Sequence, residues 1–189
     1  MLGGTADADI SKGRANAIVV VASILQDLEN RGVPLELASF NGGTAANTIP
    51  SEATATVVIA PDAREALEST AKTYIDGLKN TFAGIEANIT LEITETAMPA
   101  EVVSNDDRRN ALWFMTEIVD GVSTWQKGAN DQPESSSNLG VFSLGAGGVT
   151  AATSVRSASA DRETELVNKQ VALAAESGYT AQVTKLSEL

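Results

Sequence analysis

Two polar residues, Asn47 and Arg156, have side chains suited to holding a small polar ligand. Arg156 lies in an apparent strand, where a side-chain period of two puts Ser154 and Arg156 on one face. A guanidinium on such a face can bind a carboxylate through two parallel hydrogen bonds, although arginines in strands more often lie on a solvated surface. Asn47 follows Gly42 and Gly43, and its amide can donate and accept hydrogen bonds. On residue chemistry alone, a structural role stays open for both residues.

The glycine pairs and the paired aspartates predict little further chemistry. Gly3 and Gly4, and the glycine-rich stretch 145–148, do not follow a phosphate-loop pattern and are typical of turns. Asp7 and Asp9 suggest a cation site, but the calcium-loop template fails because the glycine and the closing glutamate that it needs are missing. We expect the two aspartates to end a strand or to cap a helix.

The chain has no histidine and no cysteine among its 189 residues. A Ser-His-Asp or Cys-His catalytic group cannot be assembled from it, and a zinc site would need carboxylates alone, which is an unusual ligand set. The sequence therefore predicts no catalytic residue and no metal ligand in this chain acting alone.

Charge and hydropathy exclude two classes of partner. The net charge of −12, from 25 acidic and 13 basic residues, disfavours nucleic acid. No apolar run approaches the roughly 18–20 residues that a membrane helix needs, and no signal peptide is visible. With 43% apolar residues and no need for a disulfide, the chain is typical of a globular cytoplasmic protein.

Apolar periodicity predicts an order of helix, strand, strand, helix and strand in each half of the chain. In the first half these elements are a helix ending near 30–32, strands at 35–40 and 48–60, a helix at 61–82 and a strand at 88–96. In the second half they are a helix at 108–119 capped by Ser104, a polar loop at 121–137, paired strands at 138–144 and 149–158, a helix at 161–177 and a strand at 179–186.

The repeated order predicts an α+β fold of two tandem antiparallel-sheet and helix sandwiches, that is, two ferredoxin-like halves with the order αββαβ. The halves are residues 1–98 and 99–189, and the stretches 55–65 and 153–163 resemble each other locally. An internal duplication explains this order, but two unrelated α+β halves could share it.

Five motifs, in order along the whole chain, resemble the lid (dimerisation) domain of the aminoacyl-histidine dipeptidases (peptidase D). These enzymes belong to the zinc metallopeptidase family that includes carboxypeptidase G and succinyl-diaminopimelate desuccinylase. The motifs are Gly3-Gly4 with Asp9-Ile10, the Gly-Arg-Ala-Asn-Ala run at 13–17, Phe40-Asn41-Gly42-Gly43 with Asn47-Thr48-Ile49-Pro50, Ser136-Ser137-Asn138-Leu139-Gly140, and Ser154-Val155-Arg156-Ser157.

The resemblance implies a division of labour between this chain and a catalytic domain that it lacks. In the family, the catalytic domain binds two zinc ions and supplies a glutamate as general base, while the lid closes over the metals and often makes a dimer contact. By resemblance, Asn47 and Arg156 hold a dipeptide substrate, and Arg156 grips its C-terminal carboxylate. The implied partners are the chain's own catalytic domain, the dipeptide and a second copy in a homodimer, with no nucleic acid and no membrane.

The chain departs from the family at Thr5. The family pattern is Gly-Gly-His-Ser-Gly, in which the histidine stabilises the transition state, and here Thr5 stands at the position of that histidine. A threonine hydroxyl is an uncharged donor, and losing one oxyanion donor costs roughly 10²–10³ in rate.

Two other interpretations remain open from the sequence. One is a self-contained acidic α+β module for binding or oligomerisation, which would act without Arg156. The other is a stand-alone enzyme that uses carboxylates such as Asp7, Asp9 or Asp161, and this one lacks any activating group close to them in sequence.

Overall fold

The computed structural model describes residues 1–86 and 88–184, in which helices pack against antiparallel sheets. The helices are α1 (Ala6–Asp9), α2 (Ala17–Asn30), α3 (Arg64–Thr81), α4 (Asn105–Glu117) and α5 (Ala160–Glu176), with 3₁₀ turns at Ile10–Lys12 and Pro61–Ala63. The strands are β1 (Gly4–Thr5), β2 (Leu35–Gly43), β3 (Thr48–Ile49), β4 (Ala53–Ile59), β5 (Gly121–Gln126), β6 (Ala129–Gly145) and β7 (Gly148–Ser157).

β6 is the central strand of a five-stranded sheet. β4 pairs with β2, and β2 pairs with the last part of β6 from Gly43↔Val141 to Phe40↔Leu144. β5 pairs with the first part of β6, whereas β7 pairs with β6 from Ser135 to Gly145. Because β7 occupies one edge of β6, β2 and β5 lie end to end along the other edge. β1 and β3 form a separate two-stranded sheet.

The main core lies between one face of this sheet and the helices α2, α4 and α5. Phe40 and Phe142 are fully buried and pack edge to face with ring centroids 5.7 Å apart. Burial of each such side chain contributes about 1.5–3 kcal/mol. A smaller cluster joins α2, α3 and Ile89. The opposite face of the sheet is therefore left for polar residues.

Most of the predicted elements are confirmed. The α+β class with antiparallel sheets is correct, as are the helices at α2, α3, α4 and α5 and the strands at β2, β4 and β7. The end of α2 follows the predicted signal, since Arg31 is its C-cap and Gly32 has a φ of +76°. Ser104 caps α4, where its Oγ accepts the N–H of Asp107 at 3.1 Å.

The predicted loop at 121–137 is wrong, because these residues form β5 and the first part of β6. Their polarity is compatible with a sheet because the hydroxyls bond to one another and to a helix. Ser135 is buried and shares a hydrogen bond of 2.6 Å with Thr124 on β5. Ser137, also buried, accepts a hydrogen bond from Gln170 on α5.

The predicted strands at 88–96 and 179–186 are also wrong. Residues 88–96 form no strand, although Ile89 is buried beside α3 and Leu91 and Ile93 are 38% and 36% exposed. Of the three alternating apolar residues only Ile89 is buried, so the alternation marks neither a strand nor a continuous buried face. Residues 179–184 form no strand either, and 185–186 lie outside the described residues.

The repeated αββαβ order is not found, because the last strand predicted for each half is missing from the described residues. The two predicted sandwiches also share one sheet, since β2 of the first half pairs with β6 of the second. Trp113 is 46% exposed on α4, while its neighbour Phe114 is buried. The division near residue 98 stays a prediction.

Candidate functional site

Asn47 lies at the end of a short loop whose backbone is fixed. We call residues 44–47, between β2 and β3, the Asn47 loop. The carbonyl of Asn47 accepts the N–H of Ala6 at 2.8 Å, and the carbonyl of Ala45 accepts the N–H of Thr48 at 3.1 Å. The Asn47 side chain is exposed and makes no hydrogen bond within residues 1–86 and 88–184. Its amide is therefore available to a ligand.

Asn138 connects this loop to the sheet. Its side chain is fully buried, and Nδ2 donates to the carbonyls of Ala46 at 2.7 Å and Thr48 at 2.9 Å. These two residues flank Asn47 in sequence. The loop therefore lies against the face of β6 to which Asn138 points.

Thr5 lies next to the Asn47 loop, because β1 pairs with β3 in the register Thr5↔Thr48. The Thr5 hydroxyl caps α1 by accepting the N–H of Ala8 at 3.4 Å, and its own N–H donates to Asp9 Oδ2 at 3.0 Å. The hydroxyl of Thr5, the residue at the position of the family histidine, is thus used to cap α1.

Asp9 connects the turn after β1 to two basic side chains. Its Oδ1 lies 2.8 Å from Lys12 Nζ and 3.1 Å from Arg14 Nη2, and Arg14 also donates to the carbonyl of Gly3. The hydrogen bond from Lys12, followed by that from the Thr5 N–H, lowers the pKa of the Asp9 carboxyl. Asp9 therefore stabilises the turn after β1 through these contacts, but its side chain does not cap the 3₁₀ turn at Ile10–Lys12 that follows it.

Arg156 lies on the same face of the sheet as Asn138. In the β6–β7 register, Ser154 is opposite Asn138 and Arg156 is opposite Ser136. Directly opposed residues share a face, and so do residues two apart in a strand. The other face is the helix side, where Thr153 Oγ1 donates to Gln170 of α5 at 2.7 Å. Arg156 is exposed and is a diagonal neighbour of Asn138, with Cα atoms about 7–8 Å apart.

The fold therefore brings Thr5, Asn47 and Arg156 to the side of the sheet opposite the helices. Sequence reasoning did not assign a role to Asn138, which links the loop to that face. An available signal was the unfavourable placement of an asparagine in a strand, two residues before a glycine.

No metal ligand set is present in the part of the chain that the structure describes, since no three acidic side chains there are grouped to hold an ion. The residues present do not fit a zinc ion. Among the described helices, none combines the length and the apolar character needed to cross a membrane.

Comparison with known proteins adds the family. Residues 1–86 match the model of the peptidase dimerisation domain (M20_dimer). The chain carries a peptidase dimerisation domain. It is similar to the cytosol non-specific dipeptidase of Escherichia coli (strain K12), with 31% identity over 142 residues, 75% of this chain and 29% of that protein.

A solved structure extends the likeness over nearly the whole chain. The crystal structure of aminoacylhistidine dipeptidase from Vibrio alginolyticus superposes with a TM-score of 0.85 and 26% identity, covering 94% of this chain and 36% of that one. The resemblance inferred from the sequence motifs is thereby confirmed. The chain spans about a third of the length of these two relatives, at 29% and 36%.

Proposed function

We propose that this chain is the substrate-gripping and dimerisation domain of a two-zinc dipeptidase of the Xaa-His type. It has no hydrolytic activity alone, and the metals and the general base belong to a catalytic domain outside these 189 residues. Bound zinc would supply the activated water there. The cytosolic location named for the Escherichia coli relative supports a cytoplasmic protein.

The observation that carries the proposal is that the Asn47 loop is bonded to Asn138, which lies on the same face of the sheet as Arg156. A dipeptide has a carboxylate at one end and a peptide group about one residue away. Arg156 binds the carboxylate as a fork, and the Asn47 amide bonds to the peptide group. Fixing two points of the substrate holds its peptide bond in one position, which is the usual contribution of binding groups to a hydrolytic reaction.

The test is a titration of the ¹⁵N-labelled chain with an Xaa-His dipeptide, followed by NMR. We expect weak binding, with a Kd on the order of 1 mM, because two contacts supply only about 4 kcal/mol. Arg156→Ala should raise the Kd at least about tenfold, and Arg156→Lys should recover only part of the loss because an ammonium cannot bind bidentately.

Arg109→Ala is the matched control, because Arg109 is an exposed arginine on α4 that pairs with Asp106 at its surface. Its Kd should equal that of the wild-type chain. Equal losses in the Arg109 and Arg156 variants would show that the dipeptide senses only general charge, and the proposal would then be wrong.

The runner-up function is a self-contained acidic oligomerisation module. It is favoured by the match of residues 1–86 to a peptidase dimerisation domain, and it predicts a stable assembly that does not respond to dipeptide or to Arg156. The same titration separates the two functions.

A further inference from the structure

We propose that Asn138 is a positioning residue, which sets the Asn47 amide over the ligand-binding face by clamping the Asn47 loop onto β6. The inference rests on the proposed function for the role of Asn47, but the clamp itself stands on contacts of the described chain.

The first observation is the hydrogen bonding of the loop. The carbonyls of Ala46 and Thr48 accept both N–H bonds of the Asn138 side chain, at 2.7 and 2.9 Å. The carbonyl of Asn47 between them accepts the N–H of Ala6. Three successive peptide groups are thus held from outside the loop. The side chain of Asn47 is exposed and makes no hydrogen bond among the described residues.

The second observation is steric. A Cβ at Gly140 would lie 2.2 Å from the carbonyl oxygen of Ala45 and 2.4 Å from that of Ala46. A Cβ at Gly43, where φ is +74°, would lie 1.8 Å from the carbonyl oxygen of Gly140. The loop therefore contacts the backbone of β6 directly, at the irregularity in the β6–β7 register between Leu139 and Val141.

The third observation is the direction of Asn138. It lies opposite Ser154 and diagonal to Arg156, so the same side chain fixes the loop relative to the strand that carries the arginine. The Asn138 amide therefore sets the separation of the two groups proposed to hold the dipeptide.

The experiment compares the wild-type chain with Asn138→Leu, which removes both donors without burying a charge. Amide hydrogen exchange reports the clamp without any ligand. We expect exchange of the Ala6 and Thr48 amide protons to accelerate about 10- to 100-fold. Each buried carbonyl left without a donor destabilises the closed loop by about 1–3 kcal/mol, and about 1.4 kcal/mol corresponds to a tenfold change in the opening equilibrium. Exchange at Val33, which bonds to Leu28 at the far end of α2, should stay unchanged. Wild-type exchange at Ala6 and Thr48 in the variant would overturn the clamp.

A second measurement covers the case in which the variant does not fold. In the wild-type chain, the side-chain amide protons of Asn138 should exchange at least about tenfold more slowly than those of the exposed Asn30. Equal rates would overturn the proposal.

Dipeptide affinity tests whether the clamp acts through Asn47. Asn138→Leu should raise the Kd about as much as Asn47→Ala, and the double variant should lose no more than either alone. Additive losses would overturn the positioning role. If the wild-type chain binds no dipeptide, the proposed function fails, while the exchange results still decide whether the clamp exists.

Discussion

Asn16 and Asp120 complete the backbone pairing of β6 where neither β2 nor β5 reaches it. Asp120 Oδ1 accepts the N–H of Leu139 at 2.8 Å, and Asn16 Nδ2 donates to the carbonyl of Leu139 at 3.0 Å. The two side chains also bond to each other at 2.9 Å, and Asn16 Oδ1 caps α2 through the N–H of Ile18. The side chains of Asn16 and Asp120 thus make the hydrogen bonds to Leu139 that a neighbouring strand would make, and Asn16 also caps α2.

Burial raises the pKa of the Asp120 carboxyl, and the hydrogen bonds from Leu139 and Asn16 only partly oppose this. A native pKa above the unfolded value of about 3.9 means that the native state binds more protons between those two values. The free energy of unfolding therefore falls as pH rises through that window.

Asp120→Asn should remove this dependence, because an asparagine Oδ1 can still accept both hydrogen bonds while carrying no charge. We expect the variant to be at least as stable as the wild type at pH 7. Its free energy of unfolding should not show the fall that the wild type shows between pH 4 and the native pKa of Asp120. Asp120→Ala should cost about 1–3 kcal/mol by leaving two donors unpaired. Urea unfolding of the three proteins from pH 4 to 8 measures this, and parallel curves for the wild type and the asparagine variant would contradict it.

At this scale the sequence predicted residue types well but contacts poorly. Asn47 and Arg156 could be selected because an exposed amide and a forked cation have recognisable chemistry. The roles of Asn138 and Asp120 could not be assigned, because they depend on where β2 ends and β5 begins along β6. The asparagine two residues before a glycine marks position 138 as unusual for a strand, but it does not reveal the contact with the Asn47 loop.

At the scale of elements, α4 is held to α2 by an ion pair that is mostly shielded from solvent. Arg108 Nε donates to Glu29 Oε1 at 2.6 Å, and the two side chains are 13% and 16% exposed. Neighbouring Arg109 pairs with Asp106 on the surface, where the side chains are 65% and 80% exposed. The two neighbouring arginines therefore allow a shielded ion pair to be compared with an exposed one on the same helix.

Arg108→Ala should lower the free energy of unfolding by about 2–3 kcal/mol, because it leaves the Glu29 carboxylate shielded and unpaired. Arg109→Ala should change it by no more than about 0.5 kcal/mol. Urea unfolding at pH 7 gives both values, and a similar loss in the two variants would refute this view of the α2–α4 contact.

Elements with a strong helical period were predictable, whereas strands were predictable only where they were apolar. The start of β6 can be polar in a sheet because the hydroxyls of Ser135 and Ser137 bond to Thr124 on β5 and to Gln170 on α5. Residues 88–96 show the opposite error, because apolar and polar residues alternate there as in a strand but the backbone pairs with no other strand among the described residues.

At the scale of the whole molecule, the dimerisation domain in residues 1–86 supports self-association through β4. Among the described strands, β4 pairs only with β2, so its other edge can add a strand. Ala55 and Val57 pack on the core, which leaves Thr56 on the opposite face of this edge. A second copy pairing antiparallel there would continue the sheet across a two-fold axis.

Light scattering should therefore give about twice the chain mass of 19.6 kDa. Thr56→Lys should shift the protein to monomer, because a lysine on an edge strand opposes pairing. Thr150→Lys, on the outer edge of β7, is the control and should leave the dimer intact. If the dimer dissociates only in the Thr150→Lys variant, the dimer contact lies at β7 and the prediction for β4 is wrong.

We propose that Arg156 grips the C-terminal carboxylate of a dipeptide while Asn47 binds its peptide group. The most direct measurement compares the NMR titration of the wild-type chain with an Xaa-His dipeptide and with the same dipeptide as its C-terminal amide. We expect the free acid to shift the side-chain signals of Asn47 and Arg156, and the amide to bind at least about tenfold more weakly because the charge-assisted fork is lost. Equal affinity for the two ligands, or shifts that leave both residues unaffected, would contradict it.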